Sequence, residues 1–325
     1  MRYALVTGGC GQIGSWFVEK LVERGYRVVV LDPRPPYPEW ADLIAGDEVI
    51  YRHGTSADVR QIFALAEEYF FDYIYDFGAL LGSEELTSRL DSALMMNTIG
   101  ARNVFELAKM QGSAVYHINI EFAGYGFTDG YSVTKEMALR TAIEYAKKYG
   151  VYIVSSYVHH VFCERQRLLP ARKLLPTLIS YAVVGRRFRI FGSGDKLMDM
   201  LYAPDFADLV IDLMESGRAK PVNEHIYDIG VGYGIRLEDL VKMVYEMVGD
   251  KPNYVVVEDV RKQSSNPYRV AKNDWVEILG RRRLRGFKEV GKQVIDEYLR
   301  RYEPEDFRLA VEVYEQRHRF GEVGV

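Results

Sequence analysis

The sequence predicts an α/β protein in which a doubly wound parallel sheet is combined with a smaller C-terminal α/β domain. In the N-terminal half of the 325 residues, short apolar runs alternate with segments of helical periodicity. This is the order of a parallel sheet covered by helices on both faces. Residues 27–31 (RVVVL) are continuously apolar after the arginine, as in a strand buried on both faces. A glycine-rich turn joins the first strand to the first helix.

The spacing of apolar residues predicts the positions of the strands and of the first helix along the chain. The first strand covers residues 3–7, and a helix with Phe17 and Leu21 on its apolar face ends before Gly25. Beyond the strand at 27–31, we predict strands at 73–77, 114–118, 152–157 and 225–229. The pattern loosens after residue 158. We therefore predict a sheet domain of residues 1–158, to which residues 200–232 return, and a second domain made of residues 159–199 and 233–325.

Composition and charge exclude several classes of protein. With 48% hydrophobic and 27% charged residues, the chain resembles an ordinary globular protein. Its net charge of −4 gives no cationic field of the kind that binds nucleic acid. No apolar run approaches the ~18 residues of a membrane span, and no secretory leader is recognisable. Two cysteines and six histidines without zinc-type spacing support neither a disulfide framework nor a metal site. We expect a cytoplasmic protein without nucleic-acid or membrane partners.

The turn after the first strand has the pattern of a phosphate-binding loop. It reads TGGCGQIG, and Gly8, Gly11 and Gly14 are spaced so that the backbone can approach a pyrophosphate at the N-terminus of the next helix. Gln12 and Ile13 lie in the same turn. The motif follows a strand, opens an amphipathic helix and precedes an acidic residue at the end of the next strand. In that context it predicts a Rossmann dinucleotide-binding site.

Asp32, at the end of the second strand, indicates which dinucleotide binds. Its carboxylate accepts hydrogen bonds from the hydroxyls of an adenosine ribose and repels a 2′-phosphate, so NAD is favoured over NADP. Arg34 lies two residues further on and leaves NADP open as an alternative.

Tyr131 and Lys135 form the pattern YSVTK in a segment of helical periodicity. Their spacing places both side chains on one face of the helix. A neighbouring ammonium favours the phenolate and lowers the pKa of a tyrosine, so Tyr131 is predicted to act as general acid and base near neutral pH.

Together, the glycine turn and the YSVTK pair resemble the extended short-chain dehydrogenase/reductase family, in particular its NAD-dependent nucleotide-sugar epimerases and dehydratases of the UDP-glucose 4-epimerase type. The resemblance continues in DFGAL at 76–80, NTIGARNVFELA at 97–108, YVHHVFCERQR at 157–167, FGSGDKLMDMLYAPD at 191–205, EHIYDIGVG at 224–232 and RKQSS at 261–265. It implies that NAD also contacts Thr55, Ser56, Phe77, Gly78, Ala79, Asn97, Tyr131, Lys135 and Val158.

The sequence departs from the family pattern at the third catalytic position. The family has a serine or threonine there, shortly before a Tyr-Gly pair, and it donates a hydrogen bond to the reacting sugar oxygen. Here the pair is Tyr125 and Gly126, and the counted position is Glu121. An ionised carboxylate only accepts hydrogen bonds and raises the pKa of a nearby tyrosine. Three interpretations remain open: Glu121 is a protonated acid, Thr128 or Ser132 supplies the hydroxyl, or the count is displaced locally.

The substrate side matches the family pattern in part. His160 stands where the family has an asparagine that touches the substrate, and Met198 replaces an arginine that binds the nucleotide diphosphate. Arg261 corresponds to a second such arginine, and Lys196 is placed to compensate for the missing charge. Loss of one charged donor to a diphosphate is expected to weaken binding by about 1.5–3 kcal/mol.

The resemblance implies an enzyme in which Tyr131 takes the proton of a sugar hydroxyl while hydride moves between the sugar C4 and bound NAD, and in which Lys135 holds the ribose. Within this group a 4,6-dehydratase is less favoured, because Phe122 and Ala123 replace that branch's Asp-Glu pair. The resemblance also implies a homodimer that forms through helices at 97–110 and 131–148.

Two other functions remain open. The segments GQIG at 11–14, ALLG at 79–82 and MLYAPD at 200–205 resemble the L-threonine 3-dehydrogenase branch, which uses NAD as a cosubstrate. The substitution at Glu121 also leaves open an NAD-binding protein without catalytic activity.

Overall fold

The computed structural model describes residues 2–81, 89–120, 130–169, 173–191, 194–257 and 270–320, without the side chains of 317–320. The chain divides into two units. The first comprises Met1–Val158, Ala203–Ile229 and Lys272–Arg283, and the second His159–Tyr202, Gly230–Ala271 and Leu284–Val325. None of the helices described is long and apolar enough to cross a bilayer.

Strands and helices are numbered along the whole chain. The strands are β1 (Arg2–Thr7), β2 (Tyr26–Asp32), β3 (Val49–His53), β4 (Tyr73–Asp76), β5 (Ala114–Ile120), β6 (Ile153–Val158), β7 (His160–Phe162), β8 (Phe188–Phe191), β9 (Leu197–Met198), β10 (Met200–Tyr202), β11 (Tyr227–Ile229), β12 (Ile235–Arg236) and β13 (Tyr254–Val257). The helices are α1 (Gly14–Glu23), α2 (Ala41–Ala45), α3 (Val59–Glu68), α4 (Leu90–Ala93), α5 (Gly100–Gln111), α6 (Gly130–Tyr149), α7 (Leu174–Val184), α8 (Ala203–Glu215), α9 (Leu237–Val248), α10 (Val276–Leu279), α11 (Phe287–Arg301) and α12 (Pro304–Phe320). A 3-10 turn at Pro38–Trp40 and a π-helical segment at Leu94–Ile99 complete the described elements.

Seven strands of the first unit form one parallel sheet in the order β11-β6-β5-β4-β1-β2-β3. The strand order reverses between β1 and β4, and ligands of open α/β sheets bind at the carboxyl ends of the strands beside such a reversal. In register, Thr7 of β1 lies beside Asp76 of β4, which lies beside His117 of β5. Val158, at the end of β6, lies beside Ile120 of β5. The polar side chains of Thr7, Asp76 and His117 therefore lie side by side near the carboxyl ends of these strands.

Both faces of the central strands are buried, which explains why β1, β2 and β4 are mainly apolar. One core includes Leu5, Val29 and Ile74 together with apolar residues of α5 and α6. Another group surrounds the buried Phe17 of α1, whose ring centroid lies 4.4 Å from that of Phe77. The core thus fixes α1 against the strands that carry the candidate site.

The second unit contains three two-stranded sheets, formed by β7 with β10, β9 with β12, and β8 with β13. The buried carboxylate of Asp199, between β9 and β10, joins separate segments of this unit. It accepts backbone N–H groups from Val231 at 2.6 Å, Gly232 at 3.1 Å and Ala271 at 3.0 Å. Asp199 is therefore a structural partner of the backbone in this unit.

The predicted α/β class with a parallel sheet is confirmed. All six predicted strands are present, with ends within two residues of the expected ones. The sequence pattern missed β3, because this strand is short, carries Arg52 and His53, and pairs only with β2 at the edge of the sheet.

The division into units differs from the predicted one in the C-terminal half. Residues 272–283 lie in the first unit, whereas the sequence placed them in the second. The reason is that Asp274 bonds β11 and the residues just before it. Asp274 accepts the backbone N–H of Asp228 at 3.0 Å and pairs with His225 at 2.9 Å. The returning segment is Ala203–Ile229 instead of 200–232, because β10 pairs with β7 of the second unit.

Candidate functional site

The loop between β1 and α1 is shaped by glycines that leave no room for side chains. Gly8 has a φ of +65°, and a Cβ there would lie 2.8 Å from the carbonyl oxygen of Phe77. A Cβ at Gly14 would overlap the carbonyl oxygen of Gly8, and one at Gly11 would lie 3.0 Å from the same oxygen. The three predicted glycines thus form a tight backbone cradle, as required where a pyrophosphate approaches the main chain.

The N-terminus of α1 opens onto this cradle. Ile13 is its N-cap residue, and α1 has neither a side-chain cap nor an acidic residue in its first turn. The N–H of Gly11 donates to Gly8 at 2.9 Å and that of Ser15 to Gly11 at 3.0 Å, which holds the loop closed. Gln12 is partly exposed on it. An uncapped helix end with its positive dipole suits an anionic group.

Asp32 is fully buried at the end of β2, and its carboxylate is surrounded by donors. Cys10 donates its backbone N–H to Oδ2 at 2.9 Å. Arg34 donates its backbone N–H and Nε to Oδ1 at 2.9 and 3.1 Å, and Nη2 to Oδ2 at 3.0 Å. A Cβ at Gly11 would lie 3.1 Å from the same Nη2. Ribose hydroxyls that bind Asp32 would therefore share its carboxylate with the Arg34 guanidinium. The sequence did not predict the pairing of Arg34 with Asp32.

The chain that leaves β4 forms the next wall of the cradle. Thr7 Oγ1 accepts the N–H of Gly78 at 3.0 Å, which fixes the path of Phe77, Gly78 and Ala79. The hydroxyl of Ser56 is buried and has no hydrogen-bond partner among the described residues. A Cβ at Gly78 would lie 3.5 Å from it. Because buried polar atoms are nearly always hydrogen-bonded, this orphaned hydroxyl fits contact with a bound polar group.

Thr55 and Asn97 hold the neighbouring backbone in place through hydrogen bonds. Thr55 Oγ1 accepts the N–H of Ala57 at 3.2 Å. Asn97, in the π-helical segment, accepts the N–H of Leu80 at 2.7 Å and donates to its carbonyl at 3.1 Å and to Thr134 Oγ1 at 3.0 Å. The side chain of Asn97 therefore ties the chain after β4 to α6.

Helix α6 carries Tyr131 and Lys135 on one face, as the spacing predicted. Lys135 is 3% exposed, and its Nζ donates to the carbonyl of Ile118 in β5 at 2.6 Å. Burial lowers the pKa of Lys135 to about 8, although the carboxylate of Asp76 opposes the shift. Tyr131 is partly buried. The ammonium is thus held at the carboxyl end of the sheet. The third predicted catalytic residue, Glu121, lies outside the described residues.

A buried carboxylate and imidazole face each other beside this lysine. Asp76 Oδ1 accepts the hydroxyl of Thr7 at 2.6 Å, and Oδ2 lies 2.8 Å from His117 Nδ1. Burial alone would raise the pKa of Asp76, but His117, Thr7 and the Lys135 ammonium hold it below its usual value. Burial and the same ammonium lower the pKa of His117. At neutral pH the pair is therefore a carboxylate and a neutral imidazole whose Nδ1–H donates to Asp76.

In the second unit, His160 begins β7 and donates its backbone N–H to the carbonyl of Asp199 at 3.0 Å. Burial, and then the charges of His159 and Lys173, lower the pKa of His160 to about 4. Its imidazole is therefore neutral at neutral pH. Burial also lowers the pKa of Lys173.

The other predicted substrate residues have these positions. Lys196 precedes β9, and burial lowers its pKa while Asp195 opposes the shift. Met198 is buried in β9, where it pairs with Ile235 of β12. Arg261 lies outside the described residues.

The first unit is thus a Rossmann dinucleotide-binding domain with a Tyr-Lys pair on the helix after β5. Its glycine cradle, its uncapped α1, the buried Asp32 and the orphaned hydroxyl of Ser56 all fit such a cofactor. The chain belongs to the NAD dependent epimerase/dehydratase family, whose model matches residues 4–230. Its cofactor is NAD.

Comparison with known proteins gives distant relatives of this family. A trifunctional UDP-glucose 4,6-dehydratase/UDP-4-keto-6-deoxy-D-glucose 3,5-epimerase/UDP-4-keto-L-rhamnose-reductase of Arabidopsis thaliana is 24% identical over 284 residues, which cover 78% of this chain and 40% of that protein. UDP-glucuronic acid decarboxylase 1 of Danio rerio is 24% identical over 241 residues, which cover 67% of this chain and 55% of the relative. The chain thus spans about half the length of these relatives.

A solved structure shows the same fold. The crystal structure of UDP-glucose 4-epimerase from Thermotoga maritima with UDP-glucose superimposes with a TM-score of 0.78. The superposition covers 92% of this chain and 99% of that one, at 20% identity.

The sequence interpretation missed the residues that position the predicted site. These are Arg34 as the partner of Asp32, and the pair formed by Asp76 and His117. A signal for the pair was present, because the two residues fall near the carboxyl ends of consecutive predicted strands, at 73–77 and 114–118. Parallel neighbours place such residues side by side.

Proposed function

We propose that this protein is an NAD-dependent enzyme of the epimerase/dehydratase type that acts on a nucleotide sugar. NAD, when bound, supplies the electrophilic carbon that accepts the hydride from the oxidised sugar carbon. Tyr131 takes the proton of the sugar hydroxyl during oxidation and returns it when the ketone is reduced. The Lys135 ammonium stabilises the phenolate and holds the ribose hydroxyls.

One observation carries this proposal. The buried ammonium of Lys135 is fixed by Ile118 at the carboxyl end of the parallel sheet, and Tyr131 lies one helical turn away on the same face of α6. The family, its relatives that act on UDP sugars, and the glycine cradle support the choice of cofactor and substrate class.

Calorimetric titration of the NAD-loaded protein with UDP tests the substrate class, with L-threonine as the parallel titrant. We expect UDP to bind and L-threonine not to bind. Lys196→Ala is expected to weaken UDP binding by on the order of tenfold, because a charge-assisted bond to a diphosphate is lost.

Lys292→Ala is the matched control, since Lys292 is an exposed lysine of the same unit that pairs with Asp296. It should leave UDP affinity unchanged. Binding of L-threonine without any binding of UDP would contradict the proposal and favour an L-threonine 3-dehydrogenase.

We also propose that the chain forms a homodimer through the helices around its Tyr-Lys pair. The support is a group of large apolar side chains that are exposed on α4, the π-helical segment and α6, elements that pack against one another in the first unit. The group consists of Leu90, Met95, Ile99, Val133 and Met137.

Sedimentation velocity at micromolar concentration should show a dimer of the native chain and a monomer of Met137→Arg, because a charge in an apolar interface is left unpaired. Phe70→Arg is the control: Phe70 is 64% exposed and lies outside these helices. A native chain that sediments as a monomer would refute the dimer.

A further inference from the structure

The pair formed by Asp76 and His117 has no part in the reaction as proposed, yet it lies beside the residues that do. Asp76 and His117 are 2% and 1% exposed. The Nζ of Lys135 bonds the carbonyl of Ile118, the residue that directly follows His117 in β5. A buried ionised carboxylate is costly to retain unless it is paired, so the burial of Asp76 calls for a compensating interaction.

The environment of Lys135 supplies the reason. An ammonium removed from water tends to lose its proton, and burial alone would leave Lys135 increasingly neutral as the pH rises above neutrality. Of the described residues, only Asp76 opposes that effect on the lysine. A neutral Lys135 would neither stabilise a Tyr131 phenolate nor donate as strongly to ribose hydroxyls.

We propose that Asp76 is the counter-charge that keeps Lys135 protonated, and that His117 and Thr7 orient its carboxylate for this purpose. Asp76 is then a positioning residue, which acts on the reaction only through Lys135. The inference rests on the proposed function only for the role of Lys135, and its first test does not require a substrate.

The described side chains that contact Asp76 and His117 carry no opposite charge that would neutralise the Asp76 carboxylate. Thr7 from β1 and His117 from β5 hold one carboxylate oxygen each. The ring of Phe105 of α5 lies edge-on to His117, with a centroid distance of 5.4 Å. The charged residues of α5 that face α6 lie near the far end of that helix. Glu106 accepts the hydroxyl of Tyr145, and the ammonium of Lys109 lies over the ring of Tyr149.

Titration of Lys135 in the cofactor-free protein is the direct test. The ε-carbon of ¹³C-labelled lysine is followed by NMR, and its signal is assigned by its loss in Lys135→Arg. In Asp76→Asn, which keeps the size of the side chain, we expect the pKa of Lys135 to fall by at least about one unit, the effect of losing a nearby opposite charge. An unchanged pKa would overturn the proposal.

Two matched variants separate charge from hydrogen bonding. His117→Gln retains the carboxylate and an amide donor for it, so the pKa of Lys135 should stay near its native value. Tyr116→Phe removes a buried hydroxyl from the neighbouring position of β5, where Tyr116 bonds Ser156, and should have no effect on Lys135. A fall in pKa in Tyr116→Phe equal to that in Asp76→Asn would show a general loss of structure and would overturn the assignment.

The pH profile of turnover gives a second readout. If the pKa of Lys135 falls by one unit from about 8, about a tenth of the molecules instead of half carry the ammonium at pH 8. Activity of Asp76→Asn at pH 8, relative to pH 6, should then be about fivefold lower than in the native enzyme. An alkaline limb that does not move would contradict the role of Asp76.

A measurement on the native chain keeps the inference testable if Asp76→Asn does not fold. The ¹⁵N shifts of His117 should show a neutral ring protonated on Nδ1 at pH 7–9, because burial and the Lys135 ammonium lower the pKa of His117 and the ionised Asp76 accepts the Nδ1–H. A neutral ring protonated on Nε2 would place the Nδ1 lone pair against Asp76, which would then have to be protonated, and would overturn the proposal.

Discussion

Replacing Tyr131 with phenylalanine is expected to lower kcat by about 10²–10⁴-fold, the usual contribution of a positioned general acid and base. The aromatic ring and its packing on α6 are kept, and only the hydroxyl that exchanges a proton with the sugar is lost. Lys135 remains fixed to the carbonyl of Ile118. NAD affinity, measured by calorimetry, should therefore change far less than kcat, because only one of the predicted cofactor contacts is lost. A large loss of turnover with a small change in NAD binding is the result expected of a lost acid-base group.

Tyr149→Phe is the matched control for this variant. Tyr149 ends the same helix and is 47% exposed, so its hydroxyl can be removed without effect on turnover. Turnover of Tyr131→Phe within a few-fold of the native value would show that another group moves the proton.

Replacing Gly8 with alanine is expected to raise the dissociation constant for NAD by at least about tenfold, or about 1.4 kcal/mol. The first cause is conformational, because φ is +65° at this position and a side chain there costs on the order of 1–2 kcal/mol. The second is steric: the new Cβ would press on the carbonyl of Phe77 and the N–H of Gly78. Both groups belong to the wall of the cradle, so the loop and β4 must separate.

Gly25→Ala isolates the steric part of this effect. Gly25 has a φ of +79°, but nothing lies within 4 Å of a Cβ built there. Thermal unfolding should show the conformational cost in both variants and an added steric cost in Gly8→Ala, while calorimetry should show weakened NAD binding only in Gly8→Ala. Equal NAD affinity in the two variants would refute the cradle as the cofactor site.

The parts of the fold that follow local rules were predictable from the sequence. The run at 27–31 indicated a strand buried on both faces, and the glycine spacing indicated a tight turn before α1, because each pattern has a direct local cause. β3 was missed because this short edge strand is only partly buried and ends in the polar residues Arg52 and His53. The return of residues 272–283 to the first unit was missed because it depends on Asp274 finding its partners far away in sequence.

The same distinction holds for the site. The four-residue spacing of Tyr131 and Lys135 is a property of one helix, so the sequence sufficed to place them together. The pairing of Asp76 with His117 depends on the register of β4 and β5. The hydrogen bonds of Arg34 to Asp32 depend on the rotamer of the arginine. Spacing along the chain indicates that Asp76 and His117 lie near the ends of consecutive predicted strands, but it does not contain the register of those strands or the rotamers of the side chains.

Turnover of a panel of UDP and dTDP hexoses by the NAD-loaded protein, with products identified by NMR, tests the proposed function. We predict that at least one nucleotide sugar is converted to its epimer or to a keto product, and that Tyr131→Phe slows the conversion by about 10²–10⁴-fold. If no nucleotide sugar of the panel is converted while NAD is bound, the protein is not an epimerase or dehydratase of these nucleotide sugars.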